Sequence, residues 1–252
     1  MKIIWITGGS TGIGLATAKK FIINNWKVVI SSSNYKKLLN AKKEINKINN
    51  KNIYIYKCDI SKKDEIQKVV NQIENKIGKI DIALLNAAAY SPNKTQEFNI
   101  KNYELLIDVN LKGTLYCIEA LQKIMKKRKK GHISIVASPV GYRGLPTAGA
   151  YGLTKAGLIN LAESLFFDFK KIGIKISVIN PGFIKSESTN LNSFPMPFLK
   201  SSSFAANKIF YGLTKSKKFE IKFPFLFLKI LKLGRILPYP IYFLLIHKIT
   251  GL

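Results

Sequence analysis

Seven short apolar runs, at 3–6, 27–31, 53–57, 81–85, 132–137, 174–179 and 219–223, recur along 252 residues with room for a helix between most of them. The intervening segments carry apolar residues at helical spacing, as Ile66, Val69, Val70 and Ile73 do. Runs this short and this apolar suit strands buried on both faces. Strands that alternate with helices pair in parallel, because each crossover returns the chain to the same end of the sheet. The pattern predicts an α/β fold: a doubly wound parallel sheet of about seven strands with helices on both faces. Ligands of such sheets bind beyond the carboxyl ends of the strands. The residues found there are glycine or polar: the stretch 8–14 after the first run, Asp59 after the third, Asn86 after the fourth, Ser138 after the fifth, and Pro181 with Gly182 after the sixth.

Two stretches carry chemistry. The first run enters Thr7-Gly8-Gly9-Ser10-Thr11-Gly12-Ile13-Gly14. Glycines here permit a tight turn and close approach of backbone to a pyrophosphate, and the helix that opens near Gly12 offers N–H groups to its charge. In the second stretch, Tyr151 and Lys155 stand four residues apart, one turn apart on the same helix face. A neighbouring ammonium favours the phenolate and moves a tyrosine toward the range useful for proton transfer. Ser138 lies thirteen residues earlier at a strand end, where its hydroxyl can project toward the same place.

Taken together, these motifs resemble the short-chain dehydrogenase/reductase family, in its compact single-domain branch, over residues 3 to about 222. The resemblance implies hydride transfer between a nicotinamide and a carbonyl or alcohol carbon. Tyr151 would give or take the proton and Ser138 would hold the substrate oxygen. Lys155 would bind the nicotinamide ribose and lower the tyrosine pKa, and Asn110 would support a proton relay. The cofactor would be held by Gly8, Ser10, Thr11, Gly12, Ile13 and Gly14; by Ser32 and Ser33; by Asp59 and Ile60; by Asn86 and Ala87; by Tyr151 and Lys155; and by Pro181, Gly182, Ile184 and Ser186. Ala88 stands where the family usually has glycine, and Pro139 biases Ser138 toward an extended conformation. No acid occurs between Gly14 and Glu44, so nothing at the end of the second run repels a 2′-phosphate. NADP(H) is therefore favoured over NAD(H). A protein that keeps this fold to sense NADP(H) without turnover is the alternative reading, and the intact Ser, Tyr, Lys and Asn set argues against it.

The formal net charge is +27, nearly all of it lysine, since Arg128, Arg143 and Arg235 are the only arginines. Solvated lysine faces account for this better than a specific nucleic-acid site, for which no aromatic interleaving is present. Cys58 and Cys117 form no disulfide or metal pattern, which suits a reducing cytoplasm, and no metal site is expected. Residues 3–6 read as a strand rather than the core of a signal peptide.

The organisation expected is a catalytic domain at 1–223, with a substrate lid at 187–216, and an apolar basic tail at 224–252. The lid's Phe194-Pro195-Met196-Pro197-Phe198-Leu199 suggests a lipophilic substrate, and a helix capped near Ser203 should run from Phe204 to Thr214. A helix from about Phe225 to Leu237 would place Lys229, Lys232 and Arg235 on one side toward anionic head groups. Phe225, Leu228 and Leu231 would give apolar contact, with Tyr239 and Tyr242 at the same level. The tail is read either as a peripheral contact with the inner face of the membrane or as packing on a second subunit. A homodimer or homotetramer is expected from the resemblance.

Overall fold

The computed structural model describes residues 1–48, 51–91, 98–192, 194–216 and 218–251. Strands and helices alternate as the apolar runs require: β1 (Ile3–Thr7), α1 (Gly12–Ile23), β2 (Lys27–Ser32), α2 (Tyr35–Asn46), β3 (Ile53–Lys57), α3 (Lys63–Lys76) and β4 (Ile82–Leu85). They continue with α4 (Ile100–Leu106), a π-helical stretch Ile107–Lys112, α5 (Gly113–Lys127), β5 (Gly131–Val136), a 3₁₀ turn Pro139–Gly141, α6 (Gly149–Lys171) and β6 (Ile174–Pro181). The chain ends with α7 (Ser202–Thr214), β7 (Glu220–Phe223), α8 (Phe225–Leu233), a 3₁₀ turn Gly234–Ile236 and α9 (Tyr239–Thr250). The seven strands form one sheet in the order β3-β2-β1-β4-β5-β6-β7. Every pairing is parallel, with Ile4 opposite both Val28 and Ile82.

Alternation along each strand divides the core in two. Ile3 and Trp5 join Ile66, Val69, Val70 and Ile73 of α3, with residues of α5 and α6, on one face. Ile4 and Ile6 join Ala18 and Phe21 of α1, Leu38 and Ala41 of α2, and Ala205 and Ile209 of α7 on the other. All five residues of β1 are buried, which is why a continuous apolar run rather than an alternating one encodes this central strand. The order of strands reverses direction at β1 and β4, so the crevice lies beyond Thr7 and Leu85.

Several expectations at the C-terminal end need correction. The cap of α7 is Ser201, not Ser203: the Ser201 hydroxyl accepts from Phe204 N at 3.1 Å and the helix begins at Ser202. The helix from Phe225 stops at Leu233 rather than Leu237, because Gly234–Ile236 tightens into a 3₁₀ turn ahead of Pro238. Leu228 is completely buried and Leu231 packs on the core, so these two look inward. Lys232 is bound to Glu220 at 2.7 Å and Arg235 lies 3.8 Å from Glu163, so two of the three cations face the sheet domain instead of head groups. Tyr242 is also turned inward, with its hydroxyl on Gly144 O at 2.6 Å, while Tyr239 stays exposed.

Candidate active site

The turn after β1 is shaped by what a side chain would strike. Gly8 has φ +63°, and a Cβ there would come within 2.8 Å of Ala87 Cα; a Cβ on Gly14 would fall 2.3 Å from Gly8 O. The Asn86 amide closes this packing by donating to Thr7 O and Gly8 O, both at 3.1 Å. Asn86 thus fastens the glycine turn to the end of β4. Gly12, at φ +54°, begins α1, and the nearest atom a Cβ would meet is Ser186 Cβ at 3.4 Å. Thr11, the cap residue, makes no side-chain cap, and no acid occupies the first turn. The N-terminal N–H groups of α1 are therefore left to a phosphate, and the site fits a dinucleotide pyrophosphate.

Other expected contacts sit around this crevice with differing freedom. Ser10 is buried, and Ile13 packs against the core with part of its surface open. Ser32 ends β2, with Ser33 exposed beside it. The Asp59 carboxylate accepts from Ser61 N at 3.0 Å and Ser61 Oγ at 2.7 Å through one oxygen. The side chains of Ile60 and Ile184 are buried. Ala87 is half-buried; Ala88 is exposed and does not need the left-handed backbone that a glycine there would permit. Pro181 ends β6, and Gly182 N donates to Phe223 O at 2.8 Å. Ser186 is folded into a small turn with Thr189, Ser186 N donating to Thr189 Oγ1 at 2.9 Å.

Ser138, Tyr151, Lys155 and Asn110 converge at the end of β5. Ser138 is extended, at φ −166° and ψ 152°, as the following proline dictates. A hydrogen bond with Ser138 favours ionisation of Tyr151, but burial dominates and, with Tyr90 nearby, holds the phenol well above its ordinary range. Lys155 is 2% exposed and its Nζ donates to Val136 O at 2.9 Å. Burial lowers its pKa to about 8. The ammonium lies 5.4 Å from the centre of the Tyr151 ring. The expectation that the cation governs the phenol is thus outweighed by desolvation of both groups.

Asn110 sits in the π-helical stretch, where one extra residue per turn redirects its side chain inward. It accepts from Ala89 N at 2.7 Å and donates to Ala89 O at 3.0 Å and Thr154 Oγ1 at 3.2 Å. Thr154 in turn donates to Tyr151 O at 2.9 Å. Thr154 thereby ties Asn110 to the Tyr151 helix, a role that only its place between Tyr151 and Lys155 could have suggested. Tyr90 was also missed. Its ring meets Tyr151 edge-on, and its hydroxyl bonds Asn192 Oδ1 at 2.5 Å. Nothing in the motif distinguishes it beyond its position shortly after Asn86.

Lys37 pairs with Glu187 at 2.5 Å across the outer edge of the crevice, near the end of β2. Among the described residues no group of acidic, histidine or cysteine side chains could hold a metal ion. The arrangement is suited to orienting a nucleotide along the strand ends and exchanging a proton at Tyr151.

Residues 2–194 match the short chain dehydrogenase family. An uncharacterized oxidoreductase of Staphylococcus epidermidis is 29% identical over 214 residues, spanning 85% of this chain and 91% of that protein. Among solved structures, ElxO with NADP bound superposes with a TM-score of 0.80 at 27% identity, covering 89% of this chain and 98% of that one. A Tyr-to-Phe variant of ElxO with NADPH bound gives a TM-score of 0.80 at 26% identity, with the same coverage of both chains.

Proposed function

The chain belongs to the short-chain dehydrogenase family, and from that premise we propose that this oxidoreductase uses NADP(H) to interconvert a carbonyl and an alcohol on a lipophilic substrate. The observation that carries the reading is the convergence of Ser138, Tyr151, Lys155 and Asn110 at the end of β5, beside an uncapped α1 N-terminus that fits a pyrophosphate. The nicotinamide, when bound, supplies or accepts the hydride.

The protein's part is orientation and proton control. Ser138 Oγ holds the substrate oxygen, and Tyr151 Oη gives it a proton in reduction and takes one in oxidation. Lys155 binds the ribose and places a positive charge beside the phenol. Asn110 and Thr154 fix the first turns of α6 against the Ala89 backbone, so that these groups stay in register. NADP(H) is supported by ElxO, which binds it, and by an end of β2 with serines and no acid. Lys37 is the nearby cation for the 2′-phosphate.

The apolar character of the substrate is supported by the lid. Phe183 lies 6.0 Å from Phe194 and 6.1 Å from Phe227, and Phe198 lies 5.4 Å from Phe227, measured between ring centres. Phe194, Phe198 and Leu199 remain exposed, so this cluster does not merely complete the core. The tail supports a peripheral place on an anionic bilayer. Leu226, Ile230 and Leu233 share the outward side of α8, Ile236 and Ile249 are more than three-quarters exposed, and 224–252 contains no acid. No helix among the described residues is long and apolar enough to cross a membrane. The domain division at about residue 223 follows from that reading.

The test is Tyr151→Phe against a panel of medium-chain aldehydes, ketones and 3-oxoacyl thioesters with NADPH. The wild type should oxidise NADPH with at least one of them, and the variant should bind NADPH as before yet lose at least about a thousandfold in turnover. A variant as fast as wild type would sink the assignment. Flotation with phosphatidylglycerol vesicles should carry the full chain upward at low salt; a chain that stays at the bottom would remove the membrane part alone.

A further inference from the structure

The loop between Ser138 and α6 is gripped by the C-terminal segment through three consecutive residues. Tyr142 Oη donates to Glu220 Oε1 at 2.6 Å, and Glu220 Oε2 accepts from Lys232 of α8 at 2.7 Å. Arg143 donates through Nη1 to Leu237 O at 2.6 Å and to Gly234 O as well, and its guanidinium lies 4.0 Å from the ring centre of Tyr242 and 4.9 Å from that of Tyr239. Gly144 O accepts from Tyr242 Oη at 2.6 Å. Asn180, at the end of β6, joins the same cluster by donating to Glu220 Oε1 at 2.9 Å.

These contacts reach the chemistry by a short path. The 3₁₀ turn that starts directly after Ser138 lies so close to α6 that a Cβ on Gly141 would fall 2.6 Å from Lys155 C and 2.7 Å from Ala156 N. The turn therefore rests on the backbone of Lys155 itself. Any displacement of Tyr142 or Arg143 is passed to Ser138 at one end of the loop and to Tyr151 and Lys155 at the other. Polar bonds direct the grip alongside the buried rings of Tyr142 and Tyr242, and a cleft of about 420 Å³ remains between loop and tail, lined by Tyr142, Arg143, Arg235, Leu237 and Tyr239 among others. A guanidinium held by two carbonyls and stacked on two rings has a fixed direction that an ammonium would not reproduce.

We propose that Arg143 is a positioning residue, and that the C-terminal segment, through Arg143 and the Tyr142–Glu220–Lys232 chain, holds the Ser138–Tyr151 loop in its working geometry. The tail then belongs to the catalytic site as well as to the surface. This rests on the roles given above to Ser138, Tyr151 and Lys155.

The test uses the full chain with Arg143→Ala, Arg143→Lys and Tyr242→Phe. NADPH affinity is read by fluorescence, and turnover on the fastest carbonyl of the panel. Hydrogen exchange is followed across 138–156 without cofactor. Both Arg143 variants should lose roughly tenfold in kcat, with KM and NADPH affinity within about twofold, because misalignment affects the transition state more than binding. Exchange should quicken in 138–156 while the β1 to β4 half stays protected. Lysine should not rescue. Tyr242→Phe removes one oxygen and should lose several-fold in kcat, so it carries the test if Arg143→Ala does not fold. Full kcat in Arg143→Lys and Tyr242→Phe, or rates reduced only in proportion to folded protein, would overturn the proposal. A wild type that neither binds nor oxidises NADPH would instead fail the reading on which it rests.

Discussion

Tyr90 meets Tyr151 edge to face, with ring centres 4.9 Å apart and planes at 82°, and the Tyr90 hydroxyl is fastened to Asn192 Oδ1. One side chain thus covers Tyr151, the proposed proton donor, and links it to Asn192 in the proposed lid. Tyr90→Phe keeps the ring and releases Asn192, so KM for the carbonyl should rise about threefold to tenfold as one lid hydrogen bond is lost, with kcat nearly unchanged. Tyr90→Ala should act differently. It relieves part of the burial that holds the Tyr151 phenol high, so in alcohol oxidation, where the phenolate is the base, the rise of rate with pH should move to lower pH. A profile identical to wild type in Tyr90→Ala would show that Tyr90 does not shield the phenol.

The cofactor preference is written at the end of β2, where Ser32 and Ser33 stand without an acid and Lys37 reaches Glu187. Ser32→Asp should weaken NADPH by roughly tenfold or more through repulsion of the 2′-phosphate, while NADH binding holds or improves. Glu187→Gln should have the opposite sign. Freed from an exposed pair worth about 0–1 kcal/mol, Lys37 should tighten NADPH by up to about fivefold, with no gain for NADH. Dissociation constants for both cofactors, measured at one ionic strength, check the pair of variants. Equal gains for NADPH and NADH in Glu187→Gln would place Lys37 away from the 2′-phosphate.

The layered fold was legible because burial on both faces of a parallel sheet leaves continuous apolar runs, and all seven runs became strands. Ser138, Tyr151, Lys155 and Asn110 were legible through their match to the motifs of the resembled family, and the fold brings the four together at the end of β5. What escaped was pairing between distant segments. Glu220 looked like one polar residue in a short last strand, yet it binds Tyr142, Asn180 and Lys232 together. Burial disfavours its charge, but hydrogen bonds from Lys232, Tyr142 and Asn180 prevail and bring it to about 2. The same blindness hid the partners of two of the tail's cations. Helical spacing put Lys229, Lys232 and Arg235 on one side, and only the location of Glu220 and Glu163 shows that two of them turn inward. Spacing within a helix says which residues share a face; what the face meets depends on residues tens of positions away.

Acid should destabilise the protein through His132. This residue of β5 is 7% exposed, and its Nε2 lies 2.7 Å from Ser177 Oγ, which donates to Ser134 Oγ at 3.0 Å within the sheet core. Burial, with Lys175 nearby, lowers its pKa from 6.5 to about 3. Between those values the unfolded chain takes up a proton that the folded chain refuses. Stability from this group is therefore complete above about pH 6.5 and is lost progressively as pH falls toward 3. From pH 7 to pH 5 the loss should be about 2 kcal/mol. Carboxylates and lysines change little over that interval, and comparison with His132→Gln removes what they contribute. In urea unfolding, the wild type's advantage over the variant should shrink by about 2 kcal/mol between the two pH values. An advantage that stays constant would mean that His132 takes up its proton in the folded protein as readily as in the unfolded chain.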